Sequence, residues 1–131
     1  MTEKHLTRGQ LERKLSQEIQ NFYRHHLGHR PSKVTCQLFD AKLVIIIEDS
    51  ITSPEQILLE EGKEDLVKKV RSNLDDAIRP GLKNLIENTA QVKVLDMLSD
   101  ATLSTGRTGV IVILNQAPKV RNSENISNVQ L

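Results

Sequence analysis

Arginine side chains on a predicted long helix are the groups in this sequence best placed to bind a charged partner. At about 3.6 residues per turn, Arg71 lies about 20° from Ile78, near the edge of an apolar stripe, and Arg79 lies about 100° from it. Burying a guanidinium alone is costly, so an arginine this close to a core requires an acidic partner or a bound anion. Asp75, four residues after Arg71, can pair with it. Further acidic candidates at predicted strand ends are Glu48, Asp49 and Asp100.

Two interpretations of these arginines stay open on the sequence. In the first, Arg71 forms a structural ion pair, which the nearby acid favours. In the second, Arg30, Arg71 and Arg79 surround a small anion such as bicarbonate or phosphate. The candidate residues for binding an anion or a protein partner are therefore Arg30, Arg71, Arg79 and Asp100.

Three histidines, His25, His26 and His29, lie near the end of the first predicted helix. Gly28 is predicted to end that helix, and no acidic residue or cysteine stands close by in sequence to complete a metal shell. Histidines also complement the negative end of a helix dipole. We therefore predict a solvated helix end and no metal site.

Cys36 alternates with Val34 and Leu38 on a predicted strand, which is the setting of a small core residue. No motif that activates a thiol nucleophile surrounds it. The sequence also lacks a phosphate-binding loop, zinc-ligand spacing and a serine elbow, and Gly106 and Gly109 fit a turn. We predict that the protein is not an enzyme, has no catalytic residues and needs no cofactor.

The first helix that positions these groups is predicted to begin at a capping box. Thr7 and Gln10 have the spacing that satisfies free backbone N–H groups at a helix N-terminus. Apolar residues recur at helical spacing as far as Leu27, and Gly28 can take the left-handed conformation that ends a helix. Residues 1–6 are predicted to be a flexible N-terminus.

A short helix and a long helix are predicted in the middle of the chain. Ser53 is predicted to cap the short helix, with Pro54 at its first position, and Gly62 ends it. An apolar stripe over residues 66–86 then predicts the long amphipathic helix. Pro80 lies inside this stripe, and because the stripe stays in phase across it we expect a kink and not a break.

Two hairpins are predicted from period-two alternation and β-branched runs. The first turns at residues 40–42 and continues into the apolar run 43–47. The second turns at residues 104–107 and ends in the apolar run 110–114. A change of apolar phase after Val94 predicts a bulge in its first strand, or a strand covered on both sides.

The order helix–hairpin–helix–hairpin predicts a single α+β domain over residues 7–114, with an antiparallel sheet and helices on one face. Residues 115–131 are rich in Pro, Asn and Ser, so we predict a disordered tail. The two apolar runs have only two substantial helices to cover them, and a second subunit would supply the missing cover. We therefore predict a homodimer.

Composition excludes several classes of protein. At 131 residues and 14.8 kDa the chain can bury a core without metals or disulfides. A net charge of +1, two Phe, one Tyr and no Trp offer neither a basic field nor stacking platforms for nucleic acid. No apolar run approaches the roughly 20 residues of a membrane span, and no secretory signal is present. A single cysteine fits a reducing cytoplasm.

Nucleic-acid binding is a weaker hypothesis, based on an order of elements similar to that of one type of KH domain. The Gly-x-x-Gly loop that such a domain carries between its helices is missing here, and so is a basic surface. We expect no nucleic-acid partner.

The chain resembles the MpsC-like family from about Thr7 to Leu114. The first matching features are the motif Gly28-His29-Arg30-Pro31 and the strand pair over residues 40–48. Within and before the long helix the matches are Leu59-Glu60-Glu61-Gly62, Arg71 and Arg79-Pro80. In the second hairpin they are Ser99-Asp100-Ala101-Thr102 and Ser104-Thr105-Gly106.

This resemblance implies a soluble bacterial accessory component of a sodium-translocating, membrane-potential-generating system, linked to ion or bicarbonate uptake. The family has no established catalytic residues, which agrees with the absence of catalytic motifs. The expected function is therefore a non-enzymatic accessory or regulatory protein in the cytoplasm. It would contact other proteins, including a membrane transport component, and would not insert into the membrane. A small-anion sensor is the alternative.

Overall fold

The computed structural model describes residues 5–121 and places them in three helices and a four-stranded antiparallel sheet. The helices are α1 (Arg8–Leu27), α2 (Ser53–Glu60) and α3 (Glu64–Ala90). The strands are β1 (Lys33–Phe39), β2 (Lys42–Glu48), β3 (Val94–Thr102) and β4 (Arg107–Leu114). The predicted α+β class is confirmed.

Helix α1 has both of its predicted ends. The Thr7 hydroxyl accepts from the backbone N–H of Gln10 at 3.1 Å, and the Gln10 side chain accepts from the Thr7 N–H at 2.9 Å. Gly28 ends the helix in the left-handed conformation, with φ of 67°. These local signals define a helix whose apolar stripe enters the core.

The predicted cap of α2 is wrong by one residue. Thr52, and not Ser53, is the N-cap, and it forms a reciprocal capping box with Glu55. Two overlapping patterns compete here, Thr52 with Glu55 and Ser53 with Gln56. The carboxylate of Glu55 is the stronger acceptor, because a hydrogen bond to an ionised group is stronger than a hydrogen bond to an amide.

Helix α3 continues through Pro80, with Ile78 and Leu82 buried on either side of it. The kink expected at Pro80 stays a prediction. Next to it, Gly81 allows α3 to approach α1: a Cβ at this position would lie 2.9 Å from a ring carbon of Phe22. The ring of Phe22 packs against Gly81, and this close contact joins α1 and α3 on one side of the sheet.

The sheet has the strand order β1-β2-β4-β3. Each neighbouring pair is antiparallel, with Cys36 opposite Ile45 and Ile45 opposite Val110. The expected bulge is confirmed as a register shift between Val94 and Asp96 of β3. The apolar strand β2 is central in the sheet, since it lies between β1 and β4.

The hydrophobic core lies between one face of this sheet and the helices. It combines the buried side of α1 and α3 with alternate residues of the strands. Its fully buried members include Leu15, Ile19, Leu43, Ile45, Ile47, Ile86, Val110 and Val112. The described helices therefore cover one face of the sheet and leave the other face open.

Part of the predicted tail is among the described residues. Val120 packs against the core, and the backbone N–H of Arg121 donates to the carbonyl of Leu6 at 2.9 Å. The rest of the predicted tail, 122–131, and residues 1–4 of the predicted flexible N-terminus lie outside the described residues. Among residues 5–121, the helices are too short or too polar to span a bilayer.

Candidate functional site

Arg71 is held in the interior by a two-point ion pair with Glu55. Its Nε donates to Glu55 Oε2 at 2.9 Å, and its Nη2 donates to Glu55 Oε1. Nη2 also donates to the backbone carbonyl of Ser50 at 2.9 Å. The side chains of Arg71 and Glu55 are 5% and 1% exposed, so both charges are removed from solvent. A parallel two-bond contact is among the strongest that a guanidinium makes with a carboxylate.

Glu55 receives further hydrogen bonds from the residue that begins its own helix. The Thr52 hydroxyl donates to Oε1 at 2.7 Å, and the Thr52 backbone N–H donates to the same oxygen at 3.1 Å. Burial raises the pKa of Glu55, but the hydrogen bonds from Arg71 and Thr52 outweigh burial and hold this pKa below its usual range. Glu55 is therefore ionised at neutral pH.

Asp75 is the weaker partner of Arg71. Its Oδ1 accepts from Arg71 Nη1 at 3.4 Å, and its side chain is 18% exposed. Burial raises the pKa of Asp75, and the positive charge of Arg71 offsets this only in part. Arg71 therefore forms an ion pair, as in the first interpretation, but its main acid is Glu55, which the sequence analysis did not name. The signal that could have identified Glu55 is the pattern Thr52-x-x-Glu55.

The acids expected at strand ends form other contacts. Glu48 pairs with Arg107, whose Nε donates at 2.7 Å. The backbone carbonyl of Asp49 lies 2.7 Å from Nε2 of His29. The carboxylate of Asp100 accepts from the backbone N–H of Ala101 at 2.9 Å. The acid that pairs with Arg71 is therefore Glu55, and not one of the three acids expected at strand ends.

A cleft of about 600 Å³ lies between α3 and the end of β3. Arg71, Arg79 and Asp100 all line this cleft, so the fold brings these three candidate residues together. Arg30 does not line it, and is exposed in the connection between α1 and β1. Three of the four candidate residues therefore lie at the cleft, and the fourth, Arg30, lies elsewhere on the surface.

Arg79 joins α3 to β3 at this cleft. Its Nη1 donates to the carbonyl of Met97 at 2.8 Å, and its Nη2 donates to the Ser99 hydroxyl at 3.4 Å. Acidic side chains outnumber basic ones around it. The acidic lining residues are Glu64, Asp75, Asp76 and Asp100, and the basic ones are Lys68, Arg71 and Arg79. Because Glu55 already neutralises Arg71, the charge balance of the cleft disfavours a small anion such as bicarbonate.

The uncovered side of the sheet carries an apolar patch, which we call the open face. It consists of Val44, Ile46, Leu98, Ile111 and Ile113, which alternate along β2, β3 and β4 with residues that point toward the helices. Leu98 is 54% exposed and Ile111 is 46% exposed. A groove of about 480 Å³ runs over Val44, Ile46, Leu98 and Ile111. Exposed apolar surface rimmed by polar residues is typical of sites that contact a protein, a membrane or a ligand.

The histidines and Cys36 occupy ordinary structural positions. Within residues 5–121, no group of three His, Cys, Asp or Glu side chains has the arrangement to hold a metal ion. His26 instead packs on Phe22, with ring centroids 4.2 Å apart. Cys36 is buried, and burial raises the pKa of its thiol to about 11, the opposite of what a nucleophile requires.

Comparisons with known proteins gave one finding. The family model described as "Na+-translocating membrane potential-generating system (MpsC)" matches residues 7–116. The comparison with curated proteins and the comparison with solved structures gave no match. The match spans the described helices and strands, and includes both the cleft and the open face.

Proposed function

The chain belongs to the MpsC family, and from that premise we propose that it is a non-enzymatic accessory protein that acts by binding other protein chains. The open face is the observation that carries this proposal. Its side chains lie on the two central strands and the neighbouring β3, where a rigid sheet holds them in fixed positions. A preformed apolar surface of this kind loses little conformational entropy when a partner covers it.

The chemistry of the polar residues supports a binding role over catalysis. Arg71 is committed to Glu55, and Arg79 to the backbone and a hydroxyl of β3. The thiol of Cys36 is buried and its pKa is raised, so it is held protonated at neutral pH. These groups stabilise the fold, and the open face is the exposed apolar surface that we assign to partner binding.

We further propose that the protein acts within the system that gives the family its description, on the cytoplasmic side of the membrane. It would bind a membrane-embedded component that supports ion or bicarbonate uptake, and that component would carry the ion. In this role the protein sets the assembly or the activity of its partner.

Substitution on the open face tests this proposal. Ile111→Glu places a charge in the centre of the patch, whereas Ile57→Glu places the same charge on α2 at a residue that is 59% exposed. Each tagged variant would be used to capture partners from a lysate that retains the membrane fraction. It would also be used to restore ion-dependent growth in cells that lack the protein.

We expect wild type and Ile57→Glu to capture the same membrane component and restore growth, and Ile111→Glu to do neither. Equal activity of both variants would contradict a role for the open face. A cleft substitution such as Asp76→Asn that abolishes growth but leaves capture intact would contradict the non-enzymatic proposal.

A further inference from the structure

We infer that the open face is an interface between two copies of this chain, related by a two-fold axis that runs parallel to β2 and β4. This inference rests on the proposed function, because it names the partner of the same surface. The membrane component of the proposed function then binds the dimer and not the single chain, so a monomeric variant such as Ile111→Glu fails to capture it.

The charges around the open face are divided between its two halves. Lys33 of β1 and Lys42 of β2 alternate with residues that point toward the core, so both lie on the open side. On the other half, Asp96 and Asp100 of β3 pair with Ile113 and Gly109 and lie on the same side. One half of the face is therefore basic and the other half is acidic.

The remaining charged pair on this face leaves the division into a basic and an acidic half unchanged. Glu48 of β2 and Arg107 of β4 neutralise each other within the chain, with 2.7 Å between Oε1 and Nε. The pair lies at one end of the central strands, beyond the apolar patch. The lysines and aspartates at the two sides are therefore the charges that a partner meets.

A two-fold axis along the strands places unlike halves opposite each other. It brings β2 of one copy over β4 of the other, so Val44 faces Ile111 and the apolar patches coincide. The same operation places Lys42 over Ile113. Asp96 lies one strand to the side, an offset of about 4.8 Å, and the two sheets are about 10 Å apart, so the long lysine side chain spans the gap. Lys33 likewise comes over Thr102, two residues along β3 from Asp100. An interface of this type has an apolar centre and a polar rim.

A two-fold interface must be complementary to itself. The open face meets this requirement because its basic half lies opposite the acidic half of a second copy. Four strands about 4.8 Å apart and about eight residues long cover roughly 500 Å² per copy, or about 1,000 Å² in total. This is below the total of about 1,200–2,000 Å² that stable interfaces bury, and it is in the range of weak, transient ones. The dimer is therefore expected to form at micromolar concentrations and to respond to single charges at its rim.

The oligomeric state of the purified full chain tests the inference. In sedimentation equilibrium at tens of micromolar, wild type and Ile57→Glu should have the mass of a dimer, and Ile111→Glu the mass of a monomer. Circular dichroism confirms that each variant is folded. A monomeric wild type overturns the inference but leaves the proposed function standing if the membrane component is still captured. A dimer that persists in Ile111→Glu also overturns it.

Charge reversal tests the two-fold arrangement itself. Lys42→Glu and Asp96→Lys should each weaken the dimer by about tenfold, because each creates two repulsive contacts across the axis. An equimolar mixture of the two variants should recover the wild-type affinity, since each mixed dimer regains both attractive pairs. Lys83→Glu and Asp65→Lys, exposed on α3, are the matched controls and should change nothing. Failure of the mixture to recover affinity overturns the proposed axis.

Discussion

Glu55 and Arg71 face each other across the contact between α2 and α3, and Glu55 is the most deeply buried side chain of α2. The apolar residues Leu58 and Leu59 of the same helix are only half-buried. Helix α2 is therefore held on the domain chiefly by a polar contact. Ser50 adds its carbonyl to Arg71, which ties the end of β2 into the same network.

Arg71→Leu should cost about 3 kcal/mol of unfolding free energy, because it leaves the Glu55 carboxylate buried without its cation. The double variant Arg71→Leu/Glu55→Leu should recover part of this loss, since it removes both charges. Urea unfolding measures both values. Lys68→Leu, on the same helix but largely exposed, is the control and should change stability by less than about 0.5 kcal/mol. An Arg71→Leu protein as stable as wild type would show that the pair is not structural.

The pKa of Glu55 predicts how the stability depends on acid. Because this pKa is lower in the folded protein than in the unfolded chain, the unfolded chain binds the proton more readily. The stabilisation is complete above the ordinary glutamate pKa of about 4.3 and is lost as pH falls through the folded-state pKa. Urea unfolding between pH 2 and pH 7 should show a steeper loss for wild type than for Glu55→Gln. Parallel pH profiles would contradict this assignment.

Asp75 should have the opposite effect on how stability depends on pH. Burial raises its pKa in the folded protein, so the folded state binds the proton more tightly and stability falls as pH rises above the ordinary aspartate value of about 3.9. Asp75→Asn removes that fall, so the variant should gain stability relative to wild type as pH rises from 3 to 7. The exposed neighbour Asp76→Asn is the control. Thermal unfolding across this pH range measures the difference in stability between Asp75→Asn and wild type. A difference that does not change with pH would contradict the raised pKa of Asp75.

Cys36 should be unreactive in the folded protein. Its thiol is buried, and burial raises its pKa to about 11, so the thiolate is scarce at pH 8. A disulfide reagent should label it only after denaturation. In a Cys36→Ala background, Gln17→Cys on the exposed side of α1 should react at once and serves as the control. Rapid labelling of native Cys36 would contradict both its burial and its structural role.

Sequence reasoning succeeded where the determining forces are local. The capping box of Thr7 and Gln10 and the left-handed Gly28 depend on residues within one turn of each other, and both are found in the structure. The bulge after Val94 could be predicted because a change of apolar phase changes which face of a strand is buried.

Long-range pairing is where sequence reasoning failed. Glu55 and Arg71 are separated by a turn between two helices, and Asp75 offered a simpler partner one helical turn away. Arg30 was grouped with Arg71 because both could bind an anion, and nothing in sequence spacing reveals that they occupy different parts of the surface. Shape and distance between elements determine such pairings, and neither is encoded in a local pattern.

The position of β4 in the sheet has a consequence for the order in which the protein can fold. Although β4 is the last strand of the described chain, it inserts between β2 and β3, and it pairs Val110 with Ile45, which lies about half of the sequence away. Until a ribosome has released residues 107–114, the hairpin of β1 and β2 has an unpaired apolar edge, of the kind that promotes aggregation. Folding during synthesis therefore stays incomplete until its final strand emerges, and a holding chaperone is most useful to the nascent chain before that moment.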